Sequence, residues 1–300
     1  MASPAWHQPV LVDEVLELLA PAPGQTVVDG TVGTAGHALA ILPKLLPDGR
    51  LIALDRDAQA LELARRRLTE FSPQAQCAPA NFRDLRDALA ALRIDQVDGV
   101  LLDLGVSSLQ FDTADRGFSF AKDAPLDMRM DRSQDASAET LVNSLQAEEL
   151  EEILQRLGEE RFARRIARRI VEARRASRIT TTTELARLVT SAVPPAARHG
   201  RLHVATRTFQ GLRMAVNDEL GALEAALAQL PALVAPGGRA VIISFHSLED
   251  RLVKHAFAQG ARDGLWRVLT KKPVQASDAE VDRNPRARSA KLRAVERLSS

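Results

Sequence analysis

Residues 27 to 57, VVDGTVGTAGHALAILPKLLPDGRLIALDRD, hold a β-branched run, three evenly spaced glycines, a helical stretch and a second apolar run ending in an acid. A strand, a turn, a crossover helix and a parallel strand satisfy that order, since parallel strands are joined by a crossover rather than a hairpin. Val27 and Val28 supply the first strand. Gly30, Gly33 and Gly36 let the backbone turn and approach a ligand closely, and Ala38 to Leu46 reads as the helix. Asp55 closes the strand Leu51 to Leu54, about twenty residues after the turn. In Rossmann-like sheets a carboxylate there accepts hydrogen bonds from ribose hydroxyls.

Two ligands suit such a site, a dinucleotide and S-adenosylmethionine. A dinucleotide places its pyrophosphate on a helix N-terminus and uses the tight G-x-G-x-x-G turn. Here the spacing is G-x-x-G-x-x-G, and Asp29 at the strand end would repel a pyrophosphate. The methionine part of S-adenosylmethionine carries an ammonium and a sulfonium, which a carboxylate attracts. The residues therefore favour a methyl-donor site, with a nicotinamide dinucleotide and a ligand-free glycine turn as the alternatives.

The length of 300 residues and 45% apolar content permit one large domain or two ordinary ones and argue against disorder. The opening MASPAWHQPV lacks the basic and apolar regions of a signal peptide, and no apolar run approaches membrane-spanning length, so a cytoplasmic enzyme without membrane contact is expected. The single cysteine, Cys77, excludes an intrachain disulfide and a cysteine-based zinc cluster, and no metal is expected. A net charge of +1 conceals a concentration of positive charge. Residues 161 to 178, RFARRIARRIVEARRASR, carry eight arginines against Glu172, and the stretch from Arg283 to Arg297 is also basic. Such patches suit phosphate backbones, although an arginine-rich helix is often only a solvated face.

The pattern continues as β-α-β-α-β-α-β through a helix at 58 to 71, a short strand near 76 to 78, a helix around 85 to 92 and a strand from Val97 ending at Asp103. A polar loop to about Ser133 and helices over 147 to 157, 160 to 175 and 183 to 193 then interrupt it. The sheet pattern resumes with one long helix expected over 207 to 230, a strand at 239 to 245, a helix at 248 to 257, and an antiparallel edge pair from 266 to 269 and 292 to 295. The expected fold is a doubly wound, Rossmann-like class I methyltransferase sheet with an inserted all-helical domain. The sheet domain takes residues 1 to 110 and 206 to 300, and the insertion 111 to 205.

Asp103 ends a central strand on the side of the sheet where ligands bind. Methyl transfer from a sulfonium is an in-line displacement, for which positioning alone supplies about 7 to 11 kcal/mol. An exocyclic amine has its lone pair delocalised into the base, and a carboxylate accepting one of its N–H bonds would localise that pair. Capping of the following turn and contact with the donor are the other roles open to Asp103. Cys77 lies outside a proline-cysteine context, which argues against attack on cytosine C6 and leaves amine methylation as the consistent chemistry.

The strings DGVLLDLGVSSLQFD, RGFSF, LDMRMD, GEERFARRIARRI, TFQGLRMAVNDEL, SFHSLEDRLVK and NPRARSAKLR together resemble the ribosomal RNA small subunit methyltransferase H family, also called MraW, from about His7 to the C-terminus. The resemblance implies methyl transfer from S-adenosylmethionine to the N4 amine of a cytidine in the decoding region of bacterial 16S rRNA. The expected partner is that RNA, within the small ribosomal subunit, and a homodimer is left open. Carried over by position, donor contacts would fall on Ala35, Gly36, His37, Asp55, Phe82, Asp103 and Gln110, to which the turn adds Asp29 and Gly33. Ala35 departs from the family's usual two glycines before the histidine. Other amino methyltransferases stack the target base on an aromatic after the Asp103 position, and this chain has DLGVSS there and no tyrosine. Phe118 and Phe120 are the nearest substitutes, each with a core role as the rival reading. His246, in SFHSLED, would orient substrate or be structural, while Arg165, Arg168 and Arg169 are candidate RNA contacts. The competing functions are a nicotinamide-dependent dehydrogenase and a noncatalytic RNA-binding assembly factor.

Overall fold

In the computed structural model, which describes residues 8 to 198 and 203 to 299, β1 (Thr26–Asp29) lies between β2 (Arg50–Asp55) and β4 (Val97–Asp103), parallel to both. β3 (Ala75–Pro79) extends the parallel sheet beyond β2, and β5 (Val234–Ser244) extends it beyond β4. β7 (Lys291–Arg297) then runs antiparallel between β5 and the edge strand β6 (Trp266–Val268). The resulting order, β3-β2-β1-β4-β5-β7-β6, is the doubly wound class I methyltransferase sheet that the residue pattern led us to expect. The opening MASPAWH, read above as carrying no signal peptide, lies outside the described residues. No helix among those described is long and apolar enough to cross a membrane.

The near-continuous apolar strands follow from helices covering both faces of the sheet. Val28, Ile52, Leu54, Leu102 and Ile242 point into one core, while their neighbours Val27, Leu51, Ala53, Leu101 and Val241 point into the other. The first core is closed by α4 (Leu85–Ala91), α11 (Glu219–Leu233) and α12 (Ser247–Arg262), and the second by α1 (Val12–Leu19), α2 (Gly36–Leu45) and α3 (Ala58–Arg67).

The chain divides into two compact units, Met1–Gly105 with Leu220–Ser300, and Val106–Glu219. The second unit contains α5 (Ser108–Asp112), α6 (Ala138–Ser144), α7 (Ala147–Arg156), α8 (Ala163–Arg174), α9 (Thr182–Ala192) and α10 (Thr206–Asn217). Its own core gathers Leu126, Met128, Val142, Leu150, Leu154, Ile166, Ile170, Leu185 and Leu212. The helix expected over 207 to 230 is thus two helices, and the division falls after Glu219 instead of at 206. The amide of buried Asn217 bonds Met128 O, Arg213 O and the Met130 N–H, and Asp218 then turns left-handed at φ 44°. The apolar stripe that looked continuous serves two cores, with Phe209, Leu212 and Val216 in one and Leu223, Leu227 and Leu230 in the other.

Two arginines of the basic C-terminal stretch are also reassigned. Arg293 and Arg297 belong to strand β7, where Arg293 forms a bidentate pair with Asp250 at 2.7 and 3.2 Å and Arg297 donates to the Pro231 and Leu265 carbonyls. These guanidiniums are part of the sheet's own structure instead of a tail offered to phosphate.

Candidate active site

Three carboxylates end three neighbouring strands at the same edge of the sheet: Asp29 on β1, Asp55 on β2 and Asp103 on β4. The turn after β1 is shaped around them. Asp29 Oδ1 accepts the Thr31 N–H at 3.1 Å, and the Thr31 hydroxyl oxygen accepts the Asp103 N–H at 2.6 Å. Asp55 holds the glycine turn directly, Oδ2 accepting the Gly33 N–H at 2.9 Å and Oδ1 the Asp57 N–H at 2.8 Å.

The glycines divide their work. Gly33 has φ 50° and needs the freedom of its type. Gly30 is instead small for packing, because a Cβ there would lie 2.5 Å from Leu102 Cδ2. Gly36 faces Pro9 at 3.0 Å in the same sense. Ala35, the departure noted in the sequence, caps α2 in the left-handed region at φ 65° with its methyl fully buried. The turn therefore keeps its shape with alanine at this position.

His37 occupies the first turn of α2, and its ring spans two segments. Nε2 lies 2.8 Å from the Val10 carbonyl, which can only accept, so Nε2 carries the proton. Nδ1 then faces Asp103 Oδ2 at 3.6 Å. Asp103 Oδ1 is shielded from solvent and has no hydrogen-bond partner among the described residues. Burial pushes the Asp29 and Asp103 carboxyls up to about 7, and Asp55 up to about 6 despite its two backbone donors. Burial likewise lowers the His37 imidazole below its ordinary range. Arg56 partly offsets Asp55, but three strand-end carboxyls leave the site acidic, so a ligand carrying an ammonium and a sulfonium fits the residues present. A pyrophosphate would face three carboxylates.

A sequence profile of the MraW methylase family matches residues 4–298. The chain belongs to that family. It is 53% identical to the ribosomal RNA small subunit methyltransferase H of Geobacter sulfurreducens over 97% of this chain and 99% of the relative. It is 52% identical to the enzyme of that name from Nitratidesulfovibrio vulgaris, over 98% of this chain and 86% of the relative. The corresponding figures for Symbiobacterium thermophilum are 48%, 98% and 97%. The chain is thus a methylase, and its cofactor is S-adenosyl-L-methionine.

The remaining sequence candidates lie in distinct settings. Phe82 is buried in the first sheet core, where it and Leu102 pack against Gly30. Gln110 closes a capping box on α5, its Oε1 accepting the Ser107 N–H at 3.1 Å. Phe118 is buried in the helical unit's core beside Arg116, so it has no open face for a base. Phe120 is half-buried in the same unit. His246 caps α12, where its Nδ1 accepts the Glu249 N–H at 3.4 Å while its own N–H donates to Glu249 Oε2 at 3.3 Å. Its Nε2 lies 3.1 Å from Glu249 Oε1 but is not aligned for a hydrogen bond. That places His246 structurally as a helix cap.

Arg165, Arg168 and Arg169 project from the exposed side of α8, whose other face buries Ala163, Ile166, Ala167 and Ile170. Arg169 pairs with Glu172 at 3.0 Å. Sequence reasoning missed Thr31 and the Val10 carbonyl, which orient Asp103 and His37. The DGT string contained the first, whereas nothing near position 10 announces a bond to a histidine on another element.

Proposed function

We propose that this protein transfers a methyl group from S-adenosyl-L-methionine to the exocyclic N4 amine of a cytidine in the decoding region of bacterial 16S rRNA, with RNA in the small ribosomal subunit as its partner. The observation that carries the reading is Asp103: a carboxylate at the end of β4 with one shielded oxygen lacking a hydrogen-bond partner among the described residues. That oxygen is suited to accept an N–H from an aryl amine and thereby localise its lone pair. The donor, when bound, supplies an electrophilic methyl group on a sulfonium.

Around that step, each residue has a task. Asp55 accepts the ribose hydroxyls, with Asp29 and the turn at Gly33, Ala35, Gly36 and His37 holding the charged methionine end. Phe82 packs beside the adenine, and Gln110 serves the methionine or target end. The division of the chain into a sheet domain and a helical RNA-recognition domain completes the proposal, with Arg165, Arg168 and Arg169 on phosphates. The relatives named as ribosomal RNA small subunit methyltransferases support this choice of substrate.

The test is incorporation of labelled methyl into small-subunit rRNA, followed by mass spectrometry to locate it. Wild type should label a cytidine N4, and Asp103→Ala should lose about 10²- to 10⁴-fold in rate, the usual range for a positioned proton acceptor. Equal rates would remove Asp103 from the mechanism. A methyl on carbon 5 or on ribose would overturn the amine assignment.

A further inference from the structure

Within the helical unit, α9 divides its faces sharply. Leu185, Val189 and Ala192 enter the core, whereas Thr183, Arg187, Thr190 and Ser191 recur at helical spacing on the other side. That polar face forms one wall of an open pocket of about 600 Å³, within the range of about 300 to 1,000 Å³ typical of small-ligand sites. Phe120, Arg198 and His203 also line it.

The aromatic wall is built rather than incidental. The Phe120 ring lies 4.8 Å from the His203 ring at 38° and 4.8 Å from the Phe209 ring at 65°. Phe209 is buried in the unit's core and so backs Phe120, while His203 is exposed. The cations have capacity to spare. Arg187 is exposed and makes no hydrogen bond or ion pair with any described residue, and Arg198 commits its Nε to the Val193 carbonyl at 2.9 Å. Arg169 reaches the rim, 3.4 Å from the Ser191 hydroxyl. Asp123 accepts the Thr183 hydroxyl's hydrogen bond and its charge also acts on Arg187, so Arg187 serves an acidic neighbour as well as the pocket.

A merely solvated arginine face would not include a tethered aromatic pair. Flat rings beside guanidiniums and hydroxyls match the two halves of a nucleotide, a base that stacks and a phosphate that accepts. We infer that the helical unit holds a noncatalytic subsite for one unpaired nucleotide of an RNA strand, its base packed on Phe120 and His203 and its phosphate held by Arg187 and Arg198. The inference rests on the RNA-substrate reading above and gives it a second anchoring point.

Full-length protein titrated with a fluorescein-labelled, single-stranded RNA octamer and with an abasic ribose-phosphate octamer tests the site. Wild type should prefer the RNA about tenfold. His203→Ala should largely abolish that preference while leaving binding of the abasic oligomer unchanged, although it also removes the acceptor of the Ala205 N–H, and Phe120→Leu should reduce it with an apolar side chain kept. Arg187→Gln with Arg198→Gln should weaken both oligomers and make the log–log salt slope shallower by about 0.7, from the one single-strand phosphate that the pair holds. Equal affinity for RNA and abasic oligomer, or variants that bind like wild type, would overturn the subsite, as would displacement of the RNA by a phosphopeptide but not by unlabelled RNA. These results remain distinct from the methylation test. RNA binding that behaves as expected without methyl incorporation would refute the proposed reaction alone, and the converse would refute the subsite alone.

Discussion

At the level of single residues, the site is defined by carboxylates whose charge is incompletely answered. Asp55 is legible in the sequence because its position at the end of the second strand follows from the spacing after the glycine turn. Its second duty, accepting the Gly33 and Asp57 N–H groups, emerges only in the folded chain. Asp55→Ala should lower donor affinity about ten- to hundredfold, or about 1.5 to 3 kcal/mol, measured by calorimetry. Asp55→Asn keeps an acceptor oxygen and should lose less. If both variants bind the donor like wild type, the ribose assignment is wrong. The His37–Asp103 approach was not legible: it depends on a ring anchored to Val10 by a bond between distant segments.

Among the elements, the short spacings between helices decide what the helical unit tolerates. Gly158 follows α7, and a Cβ added there would lie 2.5 Å from Arg207 O and 2.7 Å from Leu154 O. Both neighbours are backbone, so a methyl group has no flexible side chain to displace. Gly158→Ala should destabilise the unit by about 1 to 3 kcal/mol in urea unfolding, and a midpoint unchanged from wild type would show that the α7–α10 approach relaxes freely. On α8, the apolar spacing correctly announced a buried face, but an amphipathic pattern cannot say what its arginines meet. Neutralising Arg165, Arg168 and Arg169 together should make the salt slope of single-stranded RNA binding shallower by about 2 if all three meet phosphates. No change in slope would make this face a solvated surface. The hidden helices α5 and α6 escaped the periodicity because they are short and begin on side-chain caps at Ser107 and Ser137.

For the whole molecule, stability and donor binding are linked through protons. Asp29 and Asp103 titrate near 7 and Asp55 near 6 in the folded chain, each above its ordinary value of 3.8. Between about pH 4 and 7 the folded protein therefore binds more protons than the unfolded chain. Their contribution to stability is fully present below the unfolded value and is lost as pH rises through the folded values. A cationic donor favours the ionised carboxylates, so its affinity should increase from pH 5.5 to 8 with proton release, read by calorimetry in buffers of different ionisation heat. S-adenosylhomocysteine lacks the sulfonium and should show a weaker dependence; identical pH profiles would separate these carboxylates from the methyl-bearing end. The succession of strands along the chain and the acids at their ends follow from local alternation, glycine spacing and β-branching, which act over a few residues and were readable directly. Tertiary packing alone decided that one apolar stripe breaks at Asp218 to serve two cores, that Arg293 and Arg297 of the basic C-terminal segment are paired within a strand, and that His37 reaches Asp103. Those outcomes depend on which distant surfaces meet, because the burial that raises a carboxyl or consumes an arginine is a property of the assembled interior.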